Sequence, residues 1–534
     1  VGYGSYAGFA SDERARRGFR AGPNCGNFNR TSANQEVRHG RSLFAKLHRR
    51  FGRRIGGDER RQRAAAHYER LRQAMPVGLV GAPQRIASTA PRVAILGAGF
   101  AGVSAAWFAA RAGFAVTLIE PLVVGGRVSS THSLVPGRIL EAGAELIGTN
   151  HPLWLALARH FGFAMSVVSS EENYAAAGLE MPLILDGRHL SPAEQEALHD
   201  EMDEVFQLWG EQSKIVRNPW MPWTTDGAAT LDAQSVASKI PAKTGDLARK
   251  AILLEFELDN CIPTEEQSWL GALAQLAAGG GYEFFEETEV FRCSAGNQAL
   301  ARRLAAGLDL NQGRATNIHS GDRIFIDLEG GAKDGPFDYV VVAVPSVAME
   351  KIKIDGKPFP YRAIAYGPAV KYLSAVERRF WIPEGVAPSG MSDNLGMIWE
   401  GTDNQMDTAP FDVSVFAGGR PAQHAIDAGG GASYFAPRLT ALLPHYKATH
   451  AEFENWPKRI GMGYSCPARG EVTTTQKAYT DLIAGRIAVA GEHTSPGWFG
   501  FMEGALESGL VAMARIATHA GLPFSPEYGK FKAI

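Results

Sequence analysis

Residues 92–120 read RVAILGAGFAGVSAAWFAARAGFAVTLIE, and the fold is decided there. Val93, Ala94, Ile95 and Leu96 form a short apolar run, the pattern of a strand buried on both faces. A glycine-rich turn follows, then a helical stretch from Ala101 to Ala112, then a second apolar strand from Ala115 to Ile119. This order is a βαβ unit. Its turn, Gly97-Ala98-Gly99-Phe100-Ala101-Gly102, matches G-x-G-x-x-G. The first glycine permits the tight turn, the second lets backbone amides approach a pyrophosphate, and the third lets the helix pack close to the sheet. The helix N-terminus then faces the phosphates with unpaired N–H groups and the positive end of its dipole. Glu120 ends the second strand, placed to accept hydrogen bonds from ribose hydroxyls, and its charge disfavours a 2′-phosphate. A glycine motif alone is weak evidence. Strand, turn, helix, strand and acid in this order form a dinucleotide-binding fingerprint.

Outward from this unit, short apolar strands return late. Asp338 to Val344 reads as one, stopped by Pro345, and Arg486 to Ala490 as another. Between the first unit and these strands lie helical stretches at Pro192 to Ser213, Asp246 to Leu258 and Gln298 to Leu308. The expected architecture is α/β: a Rossmann-type domain assembled from discontinuous segments, with an α+β substrate domain inserted. The boundaries are 91–150, 285–346 and 471–534 for the dinucleotide domain, and 151–284 and 347–470 for the substrate domain. Residues 1–90 differ in composition and carry a basic run from Lys46 to Arg63, with a candidate helix over 64–75. They read as a solvated extension; an arm that packs on a partner subunit or binds something acidic is the alternative.

The chain has 534 residues, enough for two or three domains at about 100–200 residues each. A net charge of −2 gives no drive toward nucleic acid or anionic membrane. The cysteines, Cys25, Cys261, Cys293 and Cys466, are scattered without metal spacing and read as free thiols. His132, His151 and His189 lack ligand spacing, and neither H-E-x-x-H nor G-x-S-x-G occurs, so no metal is expected. No apolar stretch approaches the ~18–20 residues that span a bilayer. No signal-peptide pattern opens the chain, which starts at Val1, so cytoplasm and periplasm or secretion after leader removal both stay open.

Three further segments, Gly125-Gly126-Arg127, Gly143-Ala144-Glu145 and Gly491-Glu492-His493-Thr494, together resemble the flavin-containing amine oxidase superfamily. The resemblance runs from about Arg92 to Leu522 and implies non-covalent FAD. It places Gly126 and Arg127 beside the pyrophosphate and ribityl chain, Gly143, Ala144 and Glu145 against the cofactor, and Glu492 on a ribityl hydroxyl. The loop from Glu120 to Gly125 is one residue shorter than the family pattern. Gly500-Phe501-Met502-Glu503-Gly504-Ala505 resembles the start of the helix that points at the flavin N1–C2=O edge, with Met502 as the backbone contact. Phe501, with Tyr464 of Gly461-Met462-Gly463-Tyr464, corresponds to the family's aromatic cage, which orients the amine and excludes water. Gly463 stands where monoamine oxidases carry the flavin-linking cysteine. Gly367-Pro368-Ala369-Val370-Lys371 resembles the element presenting a lysine near flavin N5, where it holds a water and aids reoxidation by O2 or hydrolysis of the imine. Ala295-Gly296-Asn297-Gln298 resembles the turn before a helix near the cofactor, and 338–345 the strand under the adenine. Catalysis is therefore expected of Lys371, Tyr464 and Phe501.

No second G-x-G-x-x-G unit stands in strand context, since 279–281 and 429–431 have the wrong surroundings. An NADPH domain is not expected, which favours an oxidase over a hydroxylase. Many L-amino acid oxidases carry a carboxylate-clamping arginine where this chain has Leu146. An arginine elsewhere could serve, so amine and L-amino acid both stay open as substrate. The same fold also serves desaturase-like and non-catalytic flavoproteins, and a homodimer is left open.

Overall fold

The strand that begins the fingerprint organises the structure, a computed structural model that describes residues 89–169 and 171–522. Arg92–Leu96 (β1) lies at the centre of a five-stranded sheet with Ala115–Ile119 (β2), Asp309–Asn311 (β3), Tyr339–Val342 (β4) and Ile487–Val489 (β5). The order is β5-β4-β1-β2-β3, and every neighbouring pair is parallel. Successive side chains of a strand face opposite ways, so β1 feeds two cores. Val93 and Ile95 pack with the helices on one face. Ala94 and Leu96 pack against Ile318, Ile324 and Ile326 on the other, from the antiparallel strands Ala315–His319 and Ile324–Leu328. That double burial is why the run is uniformly apolar.

The helix after β1, Phe100–Arg111 (α1), is buried along nearly its whole length. Small residues permit this. A Cβ on Gly102 would lie 1.8 Å from the Gly97 carbonyl oxygen. The C-terminal helix Met502–His519 (α2) crosses α1 at backbone distance, where a Cβ on Gly509 would fall 2.3 Å from the Ala101 oxygen. The Ser104 hydroxyl donates to the Leu506 carbonyl at 2.6 Å across the same contact.

A seven-stranded sheet forms the second layer system, with His450–Asn455, Ala369–Val376, Phe411–Gly418, Gly396–Trp399, Gly390–Ser392, Leu183–Leu185 and Arg188–His189 in that spatial order. All pairs are antiparallel except 183–185 with 390–392. Ala369–Val376 is buried throughout, and Lys371 sits opposite Phe416 and Glu454 in its register. The helices Pro192–Ser213, Asp246–Asn260 and Trp269–Ala278 share an apolar core with Leu183, Leu185 and Met391. The first opens on a capping box, in which Ser191 and Glu194 each take the other's backbone N–H.

The expected strands and helices appear with ends moved by a few residues. The stretch read as 246–258 runs on to Asn260 and stops at Cys261, whose φ of 61° is left-handed. The stretch read as 298–308 is Asn297–Ala305. Cys261, Cys293 and Cys466 are unpaired and buried. The basic extension and Cys25 lie outside the described residues, save for residues 89 and 90. Among the described residues, no helix is long and apolar enough to cross a membrane.

Candidate active site

One cavity of about 700 Å³ runs from the β1–α1 turn to the middle of the antiparallel sheet. It gathers Gly97, Gly99, Glu120, Gly126, Arg127, Gly143, Ala144, Glu145, Lys371, Tyr464, Glu492, Phe501 and Met502 on its walls. Gly102, the remaining residue read from the sequence, lies beneath the turn and acts on its shape.

At the first end the backbone makes the site. Gly97 holds φ at +100°, and a Cβ there would meet the Ala343 oxygen at 2.6 Å, so only glycine fits. At Gly99 the protein leaves room: the nearest atom to a hypothetical Cβ is the Gly125 oxygen at 4.0 Å. The turn therefore presents bare backbone at the mouth of α1, whose N-cap has no side-chain hydrogen bond. Glu120 ties this end together. Its Oε2 accepts from the Ala98 N–H at 2.8 Å and its Oε1 from the Leu122 N–H at 2.7 Å. The short loop to Gly125 stays attached to the turn, since the Gly125 N–H donates to the Ala98 oxygen at 2.8 Å.

The middle of the cavity is held by an ion pair. Arg127 donates Nη1 to Glu492 Oε1 at 2.7 Å and to the Gly463 oxygen at 3.1 Å. Glu492 also accepts from the amides of Ser465 (3.2 Å) and Gly500 (3.0 Å). Burial alone would raise this carboxyl, but the Arg127 charge, His493 and the Gly500 amide hold it below the usual carboxylate range. One buried carboxylate so fixes the Gly126-Arg127 turn, the Tyr464 strand and the approach to α2. Gly143 is forced by contact, as a Cβ there would sit 1.9 Å from the Arg127 oxygen.

At the far end side chains make the site. Lys371 is 4% exposed. Its Nζ donates to Glu145 Oε2 at 2.6 Å and to the Glu141 carbonyl at 2.9 Å, and it lies 5.1 Å from the centre of the Trp399 ring. Glu145 Oε1 accepts from Arg292 Nε at 2.6 Å, and the Trp399 indole N–H reaches the same carboxylate at 3.0 Å. Two cations thus share one buried anion. The structure places the Glu145 carboxylate against the lysine that the sequence reading had separated from it. Burial raises the nearby Glu141 carboxyl to about 7, although the Asn297 amide and Ser130 hydroxyl donate to it. Asp412 is likewise pushed up to about 7 by burial.

The two expected aromatics sit in different company. Tyr464 lies nearly parallel to Phe416 with centroids 6.4 Å apart, and its hydroxyl donates to the Leu258 carbonyl at 3.2 Å. Phe501 packs edge-on to Trp498 at 5.5 Å and His151 at 5.6 Å. Met502 starts α2, whose N-cap residue, Phe501, makes no side-chain hydrogen bond. Asp259 and Glu289 also line the cavity, and both act electrostatically on the Tyr464 hydroxyl. Burial, reinforced by Glu289, raises the Asp259 carboxyl well above its ordinary value. The sequence reading missed Arg292, Trp399, Phe416, Asp259 and Glu289. None belongs to a local motif; Trp399, Phe416, Asp259 and Glu289 reach the cavity from distant strands or from beside a helix end, and Arg292 acts on it through Glu145.

Comparison with known proteins shows the family. The family described as flavin containing amine oxidoreductase matches residues 100–517. A probable flavin-containing monoamine oxidase A of Dictyostelium discoideum is 23% identical over 457 residues, covering 79% of this chain and 96% of its own. An L-amino-acid oxidase of Notechis scutatus scutatus is 22% identical over 469 residues, covering 80% and 86%. The solved cyclohexylamine oxidase from Brevibacterium oxydans IH-35A superposes with a TM-score of 0.69 at 20% identity, covering 81% of this chain and all of that one, and shares the fold. With a dinucleotide turn, a buried lysine and two aromatics on one cavity, and a family match over most of its length, the chain belongs to the flavin-containing amine oxidoreductases, and its cofactor is FAD.

Proposed function

We propose that this protein is an oxidase that removes hydride from the carbon bearing an unprotonated amine, and that the substrate is an amine without a carboxylate. The convergence of the fingerprint turn and Lys371 on one cavity carries the reading. The residues present fit the cofactor: at Gly99 a Cβ would find open space, and no side chain caps the helix behind it. FAD, when bound, supplies a two-electron acceptor that O2 can reoxidise with release of hydrogen peroxide.

Each part of the chain then has a task. Gly97, Gly99 and α1 receive the pyrophosphate, and Glu120 the adenosine ribose. Gly126 and Arg127 flank the ribityl chain, with Gly143 and Ala144 packed behind them. Glu492, held by Arg127, faces a ribityl hydroxyl. The α2 N-terminus at Met502 offers backbone N–H groups where negative charge accumulates on reduction. Tyr464 and Phe501 wall the amine and exclude water. Lys371 offers an ammonium beside the reacting ring. Gly463 has no side chain to bond to the flavin, which supports non-covalent attachment.

The choice of a plain amine rests on two features. Leu146 lines the cavity where a clamping arginine would stand. Asp259 and Glu289 face the same space, an acid-lined wall that disfavours a substrate bearing a carboxylate.

The test is anaerobic mixing of the holoenzyme with a panel of amines and L-amino acids, followed by air. Bleaching of the yellow band by amines, then peroxide release, is expected. A flavin that stays oxidised with every compound overturns the oxidase reading, and bleaching by L-amino acids alone overturns the substrate class.

A further inference from the structure

We infer that Glu145 is a positioning residue: it and the Glu141 carbonyl orient the Lys371 ammonium so that its one remaining N–H faces the cavity. The inference rests on the proposed placement of FAD beside Lys371.

An ammonium has three donors. Two are spent inside the protein, on Glu145 Oε2 at 2.6 Å and the Glu141 oxygen at 2.9 Å. Lys371 also lines the cavity, so the third points at whatever fills it. Glu145 cannot swing away. Arg292 Nε holds its other oxygen at 2.6 Å, and the Trp399 N–H lies 3.0 and 3.1 Å from the two oxygens. Arg292 is anchored in turn, its Nη2 donating to the Glu400 carbonyl at 3.2 Å and its Nη1 to that of Asp403 at 3.4 Å. A rigid path therefore runs from the 400–403 segment through Arg292 and Glu145 to Lys371.

The charged groups around this path are accounted for. Glu141 and Asp412 are acids beside it, and of the acids on the 400–403 segment Glu400 pairs with Arg379 while Asp403 accepts from the Ser169 hydroxyl. Glu454, opposite Lys371 in register, is paired with Arg459, and Arg127 with Glu492. Glu145 is thus the carboxylate in direct contact with Lys371. A glutamine in its place has one acceptor oxygen and one donor nitrogen, so it can accept from Lys371 or from Arg292 but presents a donor to the other. The ammonium then loses the charged partner that fixes its direction.

Two measurements test this. The first uses cofactor-free protein and thermal unfolding of Glu145→Gln, Lys371→Met and the double variant. The double variant is expected to be more stable than the sum of the single losses, because the cation left without a counter-ion is gone. Additive losses overturn the inference. The second reduces the holoenzyme with dithionite and mixes it with O2 from pH 6 to 10; two electrons and two protons pass from reduced flavin to O2, giving hydrogen peroxide. Glu145→Gln is expected to reoxidise about tenfold more slowly than the parent, with a pH profile that differs from the parent's. Lys371→Met is expected to be slow at every pH. A Lys371→Met variant that reoxidises at the parental rate ends the lysine's role in the proposed function. A slow Lys371→Met beside a Glu145→Gln of parental rate and profile overturns only the positioning. If Glu145→Gln does not fold, a double variant that does fold gives the same support. If neither folds, Glu145→Asp, which withdraws the carboxylate by one methylene, is expected to slow reoxidation, and an unchanged rate there overturns the inference.

Discussion

The two ends of the cavity are built on opposite plans. The glycine end is backbone: Gly97, Gly99 and Gly102 shape it within one turn, and Glu120 locks it through the Ala98 and Leu122 amides. The lysine end is side chain: Lys371, Glu145, Arg292 and Trp399 meet from four separated segments around one shared carboxylate. A backbone cradle binds the same phosphates whatever the substrate and tolerates no added atom at Gly97 or Gly102. A side-chain cluster carries adjustable charge and can be altered piece by piece. On the proposed function, the first end holds the cofactor and the second tunes its reactivity.

The contrast breaks most sharply at Gly102. Gly102→Val puts a side chain into the Gly97 carbonyl, 1.8 Å from the ideal Cβ position. Complete loss of bound FAD is expected, read as the ratio of visible to protein absorbance. A yellow, stable Gly102→Val protein would mean that the turn is not a backbone cradle.

The lysine end should fail differently. Lys371→Met is expected to keep its flavin while turnover falls about a thousandfold, within the range for loss of a proton-handling group. Equal loss of flavin and turnover would erase the distinction between the ends.

Titration sharpens the comparison further. Glu141 is raised to about 7 by burial, so the folded protein binds a proton that the unfolded chain has released above the ordinary carboxyl range. Stability from this group is present at acid pH and is lost as pH rises to about 7, a loss of as much as ~3 kcal/mol. Glu141→Gln should flatten the fall in unfolding free energy between about pH 4.5 and 7, measured by denaturant titration. An unaltered slope would assign the pH dependence elsewhere, with Asp412, also near 7, the first candidate. The smallest effect is expected at Glu120. In Glu120→Gln one oxygen remains to accept from two amides and the ribose, which should weaken FAD about tenfold without changing turnover at saturation. A change in turnover would show that the glycine end also tunes reactivity.

How far the sequence could be read follows the same division. The parallel-sheet unit was legible because β1 pairs with β2 within residues 92–119 and Gly102 is dictated by the Gly97 carbonyl in the same turn, whereas Gly97 itself is set by the distant Ala343. Lys371 and the Tyr464 and Phe501 positions were reachable through family resemblance, and the structure brings all three to the cavity. Glu145 was seen but assigned to the cofactor, because nothing local to it reveals that Ala369–Val376 passes alongside. Arg292 sits in a three-residue strand, Phe291–Cys293, paired with Met165–Val167, and no motif marks it. Asp259 faces the cavity because its helix ends at Cys261 in a left-handed turn packed against Gly367 and Gly418, a docking set by tertiary contact rather than by propensity.

The strand order of the parallel sheet has a consequence for how the enzyme is made. β4 must pair with β5, and β5 leads through the Glu492–Thr494 turn to the helix carrying Met502. A ribosome adding roughly 5–20 residues per second has the glycine turn in place tens of seconds before it delivers Ile487–Val489. Until then the all-apolar edge of Tyr339–Val342 is uncovered, and the flavin has half a receptacle. Loading is therefore an event of the finished polypeptide. A prematurely terminated product would be colourless and prone to clumping along that edge.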